Sequence, residues 1–71
     1  MQQTESATNM LAQCQAKDLG NTGKVTITQF REALVAVHPE LTESEIKHTL
    51  RDIEAIDGKI EYGPAIITHE L

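Results

Sequence analysis

Asp18-Leu19-Gly20-Asn21-Thr22-Gly23-Lys24-Val25-Thr26-Ile27-Thr28-Gln29, followed by Phe30, is the stretch whose reading decides the fold. Gly20 and Gly23, with Asn21 between them, punctuate a tight turn. Lys24-Val25-Thr26-Ile27 is β-branched and has the chemistry of a very short strand. Helical spacing then resumes: Ile27, Phe30, Leu34 and Val37 fall on one stripe of a helix over about Thr28–Val37. Upstream, Ala7, Met10, Leu11 and Cys14 recur at helical spacing over about Thr4–Lys17, with Thr4 or Ser6 as the cap. The quoted stretch is therefore a loop and a strand set between two helices.

The same order returns downstream. Pro39 ends the second helix, because the residue before a proline resists the helical region. Thr42 and Glu45 have capping-box spacing, with Leu41 and Ile46 placed as the hydrophobic staple across it. A third helix follows over about Glu43–Ile53, with Ile46, Leu50 and Ile53 inward. Ile56-Asp57-Gly58 makes a second turn, and Lys59-Ile60-Glu61-Tyr62 alternates as a second short strand would. Pro64 suits the first position of a last helix, Pro64–His69, where its missing amide costs nothing. Helix, loop, strand and helix thus occur twice, at a period of roughly 35 residues. The expected architecture is all-α: four helices, with two short antiparallel strands joining the loops, in one domain over 1–71. Neither half can bury its apolar stripe alone, which explains how so short a chain folds. At this size a single core supplies only about 3–5 kcal/mol without disulfides, a metal or a partner.

Composition narrows the function. Apolar residues at 39% and charged residues at 24% are those of a globular domain. Phe30 and Tyr62 are the only aromatics, so a base-stacking platform has little to build with. The net charge of -5 argues against a nucleic-acid backbone and favours a basic partner. Residues 1–36 hold three acids and three bases; residues 37–71 hold eight acids and three bases and carry the whole excess. Cys14 is the only cysteine, which excludes an intramolecular disulfide. No apolar run reaches the roughly 18 residues of a membrane span, and the first ten residues lack signal-peptide character. A cytoplasmic protein with no direct membrane insertion is expected.

The stretch from Asp18 to Phe30 resembles the EF-hand loop of the calmodulin superfamily, D-x-[DN]-x-[DN]-G-x₅-E followed by an apolar residue. Asp18 stands at loop position one, Gly23 at the sharp-turn position six and Val25 at the strand position eight. Asp57-Gly58-Lys59-Ile60-Glu61-Tyr62 resembles the middle of a second such loop. The separation of the copies and the Leu41–Glu45 entry are also similar to one lobe of calmodulin, over about residues 7–68. The resemblance implies a pair of EF-hands, the first over about 4–37 and the second over about 43–69, joined by a linker at 38–42.

The ion chemistry departs from that pattern. Position three is Gly20, position five Thr22 and position twelve Gln29, where calcium needs a bidentate carboxylate. Lys24 cancels the charge of Asp18 within the loop. The second loop, counted as Glu54–Pro64, has eleven residues where the family uses twelve, and Pro64 offers no side-chain oxygen. No metal and no other cofactor is expected in the loops Asp18–Gln29 and Glu54–Pro64.

Met1 and Met10 are the only methionines, which disfavours a calcium-opened, Met-rich surface. Calmodulin relatives that have lost their ligands and bind constitutively are typified by myosin light chains, which clasp the basic amphipathic IQ motif. The resemblance therefore implies a small single-lobe light chain, independent of calcium, in the neck of an unconventional, class I-type myosin. Such a subunit is not an enzyme, is monomeric when free, and joins the actin cytoskeleton through the myosin heavy chain. The expected groove for the partner helix is Met10, Leu11, Cys14, Phe30, Leu34, Val37, Leu50, Ile53 and Ile66. The competing reading is that most of these fill the lobe's own core, as favoured for Phe30, Leu50 and Ile53. Glu40, Glu43, Glu45, Glu54 and Glu61 form an expected acidic rim for partner Arg or Lys.

Other chemistries find little to work with. The intervals among Cys14, His38, His48 and His69 match no common zinc spacing. Cys14 sits beside neutral Gln and Ala, with nothing to activate its thiol. No Gly-rich phosphate loop precedes a Lys-Ser/Thr pair. Two alternatives to the light chain are a weak calcium- or magnesium-binding EF-hand buffer or sensor, and a structural interaction module of another cytoskeletal protein.

Overall fold

The computed structural model describes residues 2–71, with side chains from Glu5 onward. Helix α1 runs Gln2–Lys17, strand β1 Lys24–Thr26 and helix α2 Ile27–Val37. Helix α3 runs Glu43–Asp52, strand β2 Lys59–Glu61 and helix α4 Tyr62–Thr68. The expected order is present: four helices and a two-stranded antiparallel sheet. No helix among the described residues is long and apolar enough to cross a membrane.

Capping chemistry sets the starts of the middle helices. Thr42 accepts the Glu45 amide while the Glu45 carboxylate takes the Thr42 amide, the capping box expected from the sequence. Thr26 and Gln29 form a second, reciprocal box at the start of α2. Each box is worth about 1 kcal/mol. The Thr26 box fixes Ile27 as the first residue of α2, which leaves Ile27 42% exposed rather than on the inward stripe. Ala33 is buried on that helix beside Phe30 and Leu34. At α1 the helix already includes Gln2, so Ser6 lies inside it and is not a cap; the Thr4 side chain lies outside the described residues. Tyr62 opens α4 instead of closing β2, and Pro64 is therefore its third residue, still within the first turn where no helical amide partner is lost.

Val25 pairs with Ile60, Lys24 with Glu61 and Thr26 with Lys59. This register aligns the halves at a constant offset of 35 residues, which also relates Gly23 to Gly58 and the start of α2 to that of α4. The core draws on every element: Met10 and Cys14 from α1, Phe30 and Leu34 from α2, Ile46 from α3, Ile66 from α4, with Val25 and Ile60 from the strands. Helix α1 packs on α2 and α4, and α2 on α3. The sheet ties the two loops together at one end.

Candidate functional site

The two loops close by different chemistry. In the first, four hydrogen bonds converge on Asp18, which follows α1 directly. The Thr22 amide and hydroxyl donate to Oδ1 at 3.0 and 3.1 Å. The Gly23 amide donates to Oδ2 at 2.7 Å, and the Tyr62 hydroxyl, from α4, donates to the same oxygen at 2.9 Å. Asp18 is only 8% exposed. These donors, the Thr22 amide foremost, pull its pKa down to about 2 against the opposing effect of desolvation. Burial pushes the Tyr62 phenol in the other direction, and its bond to Asp18 adds to that rise.

In the second loop the residue equivalent to Asp18 is Ile53, and it is buried. The offset fixed by Val25 and Ile60 makes this loop Ile53–Pro64, twelve residues and not the eleven of Glu54–Pro64. The apolar side chain of Ile53 continues the stripe of α3, yet the residue is the C-cap, with extended backbone, and not part of the helix. With no carboxylate to gather its amides, the loop closes through backbone alone. Ile56 and Lys59 exchange amide–carbonyl bonds at 2.9 and 3.0 Å around Asp57-Gly58. Both turn residues have positive φ, 55° and 76°, as a type I′ hairpin turn requires.

The nine expected groove residues divide. Met10, Cys14, Phe30, Leu34, Ile53 and Ile66 are buried within the core. Val37 and Leu50 are half-buried against it, and Leu11 is 37% exposed. With six of the nine buried in its core the lobe is closed, and of the nine Ile53 alone borders one of the two clefts described below. Burial also pushes the Cys14 thiol up to about 11.

The five glutamates do not form one rim. Glu43 is 3.2 Å from Arg31 and ties α3 to α2. Glu45 is engaged in the Thr42 box, and Glu40 lies 3.5 Å from His38 Nδ1. Glu54 and Glu61 stand at the opposite end of α3, roughly 15 Å away by helix length. There they line a cleft of about 310 Å³ together with Lys24 and Lys59. A cleft of about 370 Å³ over the first loop includes Lys17, Asp18 and Gln29. Both clefts mix cationic and anionic groups. Among the described residues, no buried side-chain polar atom lacks a partner.

Sequence reading missed two features. One is the Tyr62–Asp18 bond between the halves, 44 residues apart. The other is a cluster in which Ser6 and His38 both bond the main-chain oxygen of Leu71. His38 Nε2 donates to that oxygen at 2.7 Å and lies 3.1 Å from Ser6 Oγ, and the Ser6 hydroxyl donates to the Leu71 oxygen. Neither has a local sequence signature.

No family model, curated protein or solved structure matches this chain.

Proposed function

We propose that the chain is an EF-hand pair of the calmodulin superfamily. It acts as a calcium-independent light chain that holds a basic amphipathic IQ-type helix in the neck of an unconventional myosin. The observation that carries this reading is the pairing of two helix–loop–strand–helix units at a constant offset of 35 residues through Val25 and Ile60. Paired loops of this kind are what the EF-hand resemblance implies. The ligand positions argue for independence from calcium. Position one is Asp18 in the first loop and Ile53 in the second; position twelve is Gln29 and Pro64. Asp18, the sole anion of its loop, already accepts from two amides and two hydroxyls. A cation would have to displace those donors and would find no second carboxylate in that loop. The partner's basic character follows from the eight acids and three bases of residues 37–71.

Because the lobe is closed, binding on this reading requires it to part and offer Met10, Leu34 and Ile66 to the incoming helix. Isothermal calorimetry with a synthetic IQ-type peptide in excess EGTA tests the proposal. Saturable heat is expected, with little change when calcium replaces EGTA. Absence of heat and of NMR shift perturbation in EGTA refutes it. Shifts around Asp18 on adding micromolar calcium support the alternative of a cation-binding protein.

A further inference from the structure

The segment after α4 turns back onto the lobe. Leu71 N–H bonds the Ile66 carbonyl at 2.9 Å, Glu70 N–H bonds the Ile67 carbonyl at 3.3 Å, and Glu70 has φ +53°. That is a Schellman closure, which characteristically folds its last residue against the helix it ends. Glycine is the usual residue at the left-handed position, and Glu70 holds it with a Cβ that disfavours it. Leu71 is half-buried against the core, as are Ala7 of α1 and Val37 of α2. Its main-chain oxygen is bonded by Ser6, next to Ala7, and by His38, next to Val37. One short segment thus bridges α1, α4 and the end of α2, with an apolar side chain against the core and a main-chain oxygen held by two side chains.

We propose that residues 69–71 are a strap whose Leu71 occupies the seat that an apolar anchor of the partner helix takes. The strap keeps the lobe shut and competes with that helix. The inference rests on the adaptor reading above and adds the means by which the closed lobe is controlled. The Leu71 side chain against the core, with its main-chain oxygen held by Ser6 and His38, is the arrangement that an incoming apolar anchor has to displace. The strained backbone at Glu70 lowers the cost of releasing it. The buried Cys14 reports opening independently of any partner.

The test uses the full chain and its Leu71→Ala variant, with an IQ-type peptide in EGTA and with thiol labelling of Cys14 in the peptide-free protein. The variant is expected to bind the peptide about tenfold more tightly, the scale set by partial burial of one leucine. Cys14 is expected to label faster. Loss of a merely structural contact would leave affinity unchanged or weaken it, and either result overturns the strap. If neither protein binds the peptide, the adaptor reading and the competition fail together. Unchanged Cys14 labelling then also overturns the closing role, and faster labelling supports that role alone. If Leu71→Ala does not fold, Ser6→Ala repeats the test with the core intact. The same directions are expected, and no change in either readout overturns the proposal.

Discussion

Asp18 spends its charge inside its own loop. Its carboxylate gathers the Thr22 and Gly23 amides and reaches across to Tyr62, so one residue shapes the first turn and fastens the two halves. Its pKa is drawn from the ordinary value near 4 down to about 2. The unfolded chain therefore takes up this proton first as the medium is acidified. The stabilisation is whole above about pH 4 and lost as pH falls through about 2. Asp18→Asn is expected to melt below the wild type at neutral pH. The gap between them should close from about pH 4 to about pH 2 in melts followed by circular dichroism. A constant gap across that range would show that the carboxylate is not what closes the loop. Tyr62→Phe, which removes only the hydroxyl, is expected to lower the melting point less than Asp18→Asn.

At the level of elements, the second turn and the helix that follows it call for opposite treatment of their glycines. Gly58 has φ +76° with nothing within 4 Å of an added Cβ, so alanine there meets a purely backbone penalty. Gly58→Ala is expected to cost about 1–2 kcal/mol. Gly63 is the second residue of α4, has no left-handed backbone and has equally open surroundings. Gly63→Ala is expected to gain about 0.5–1 kcal/mol through helix propensity. Urea denaturation of both variants measures the two signs. The elements were legible wherever a local residue pattern dictates local backbone. Thr42 and Glu45 announced α3, and the Gly and β-branched runs announced both turns and both strands. Thr26-x-x-Gln29 carried the same signal as Thr42-x-x-Glu45, but the strand propensity of Val25-Thr26-Ile27 masked it and put Ile27 on the wrong face. Ile53 continues the apolar stripe of α3 and so hides the start of the second loop from a reading of the sequence. Only the strand register, a contact between halves, shows where that loop begins. The bond from Tyr62 to Asp18 and the fold-back of Leu71 depend on residues far apart in the chain, and no spacing rule reaches them.

For the molecule as a whole, the core is small and shared. Phe30 is fully buried and packs within a cluster fed by all four helices and both strands. Phe30→Ala is expected to cost about 3–5 kcal/mol. That is the whole stability open to a single core of this size, about 3–5 kcal/mol. Loss of the dispersed amide spectrum and of most helical dichroism at 25 °C is the expected result; a folded variant would point to further stabilisation beyond this core. The sharing has another consequence. The exposed turn at Pro39 and Glu40 lies on the connection between α2 and α3, which carries no strand and no fully buried residue; Leu41, half-buried against the core, stays with the α3 half. Nicking the chain there severs one peptide bond and leaves the Val25–Ile60 pairing intact. The two pieces are expected to be formless apart and to reassemble one to one when mixed. Their dissociation constant would then be a direct measure of how strongly each half depends on the other.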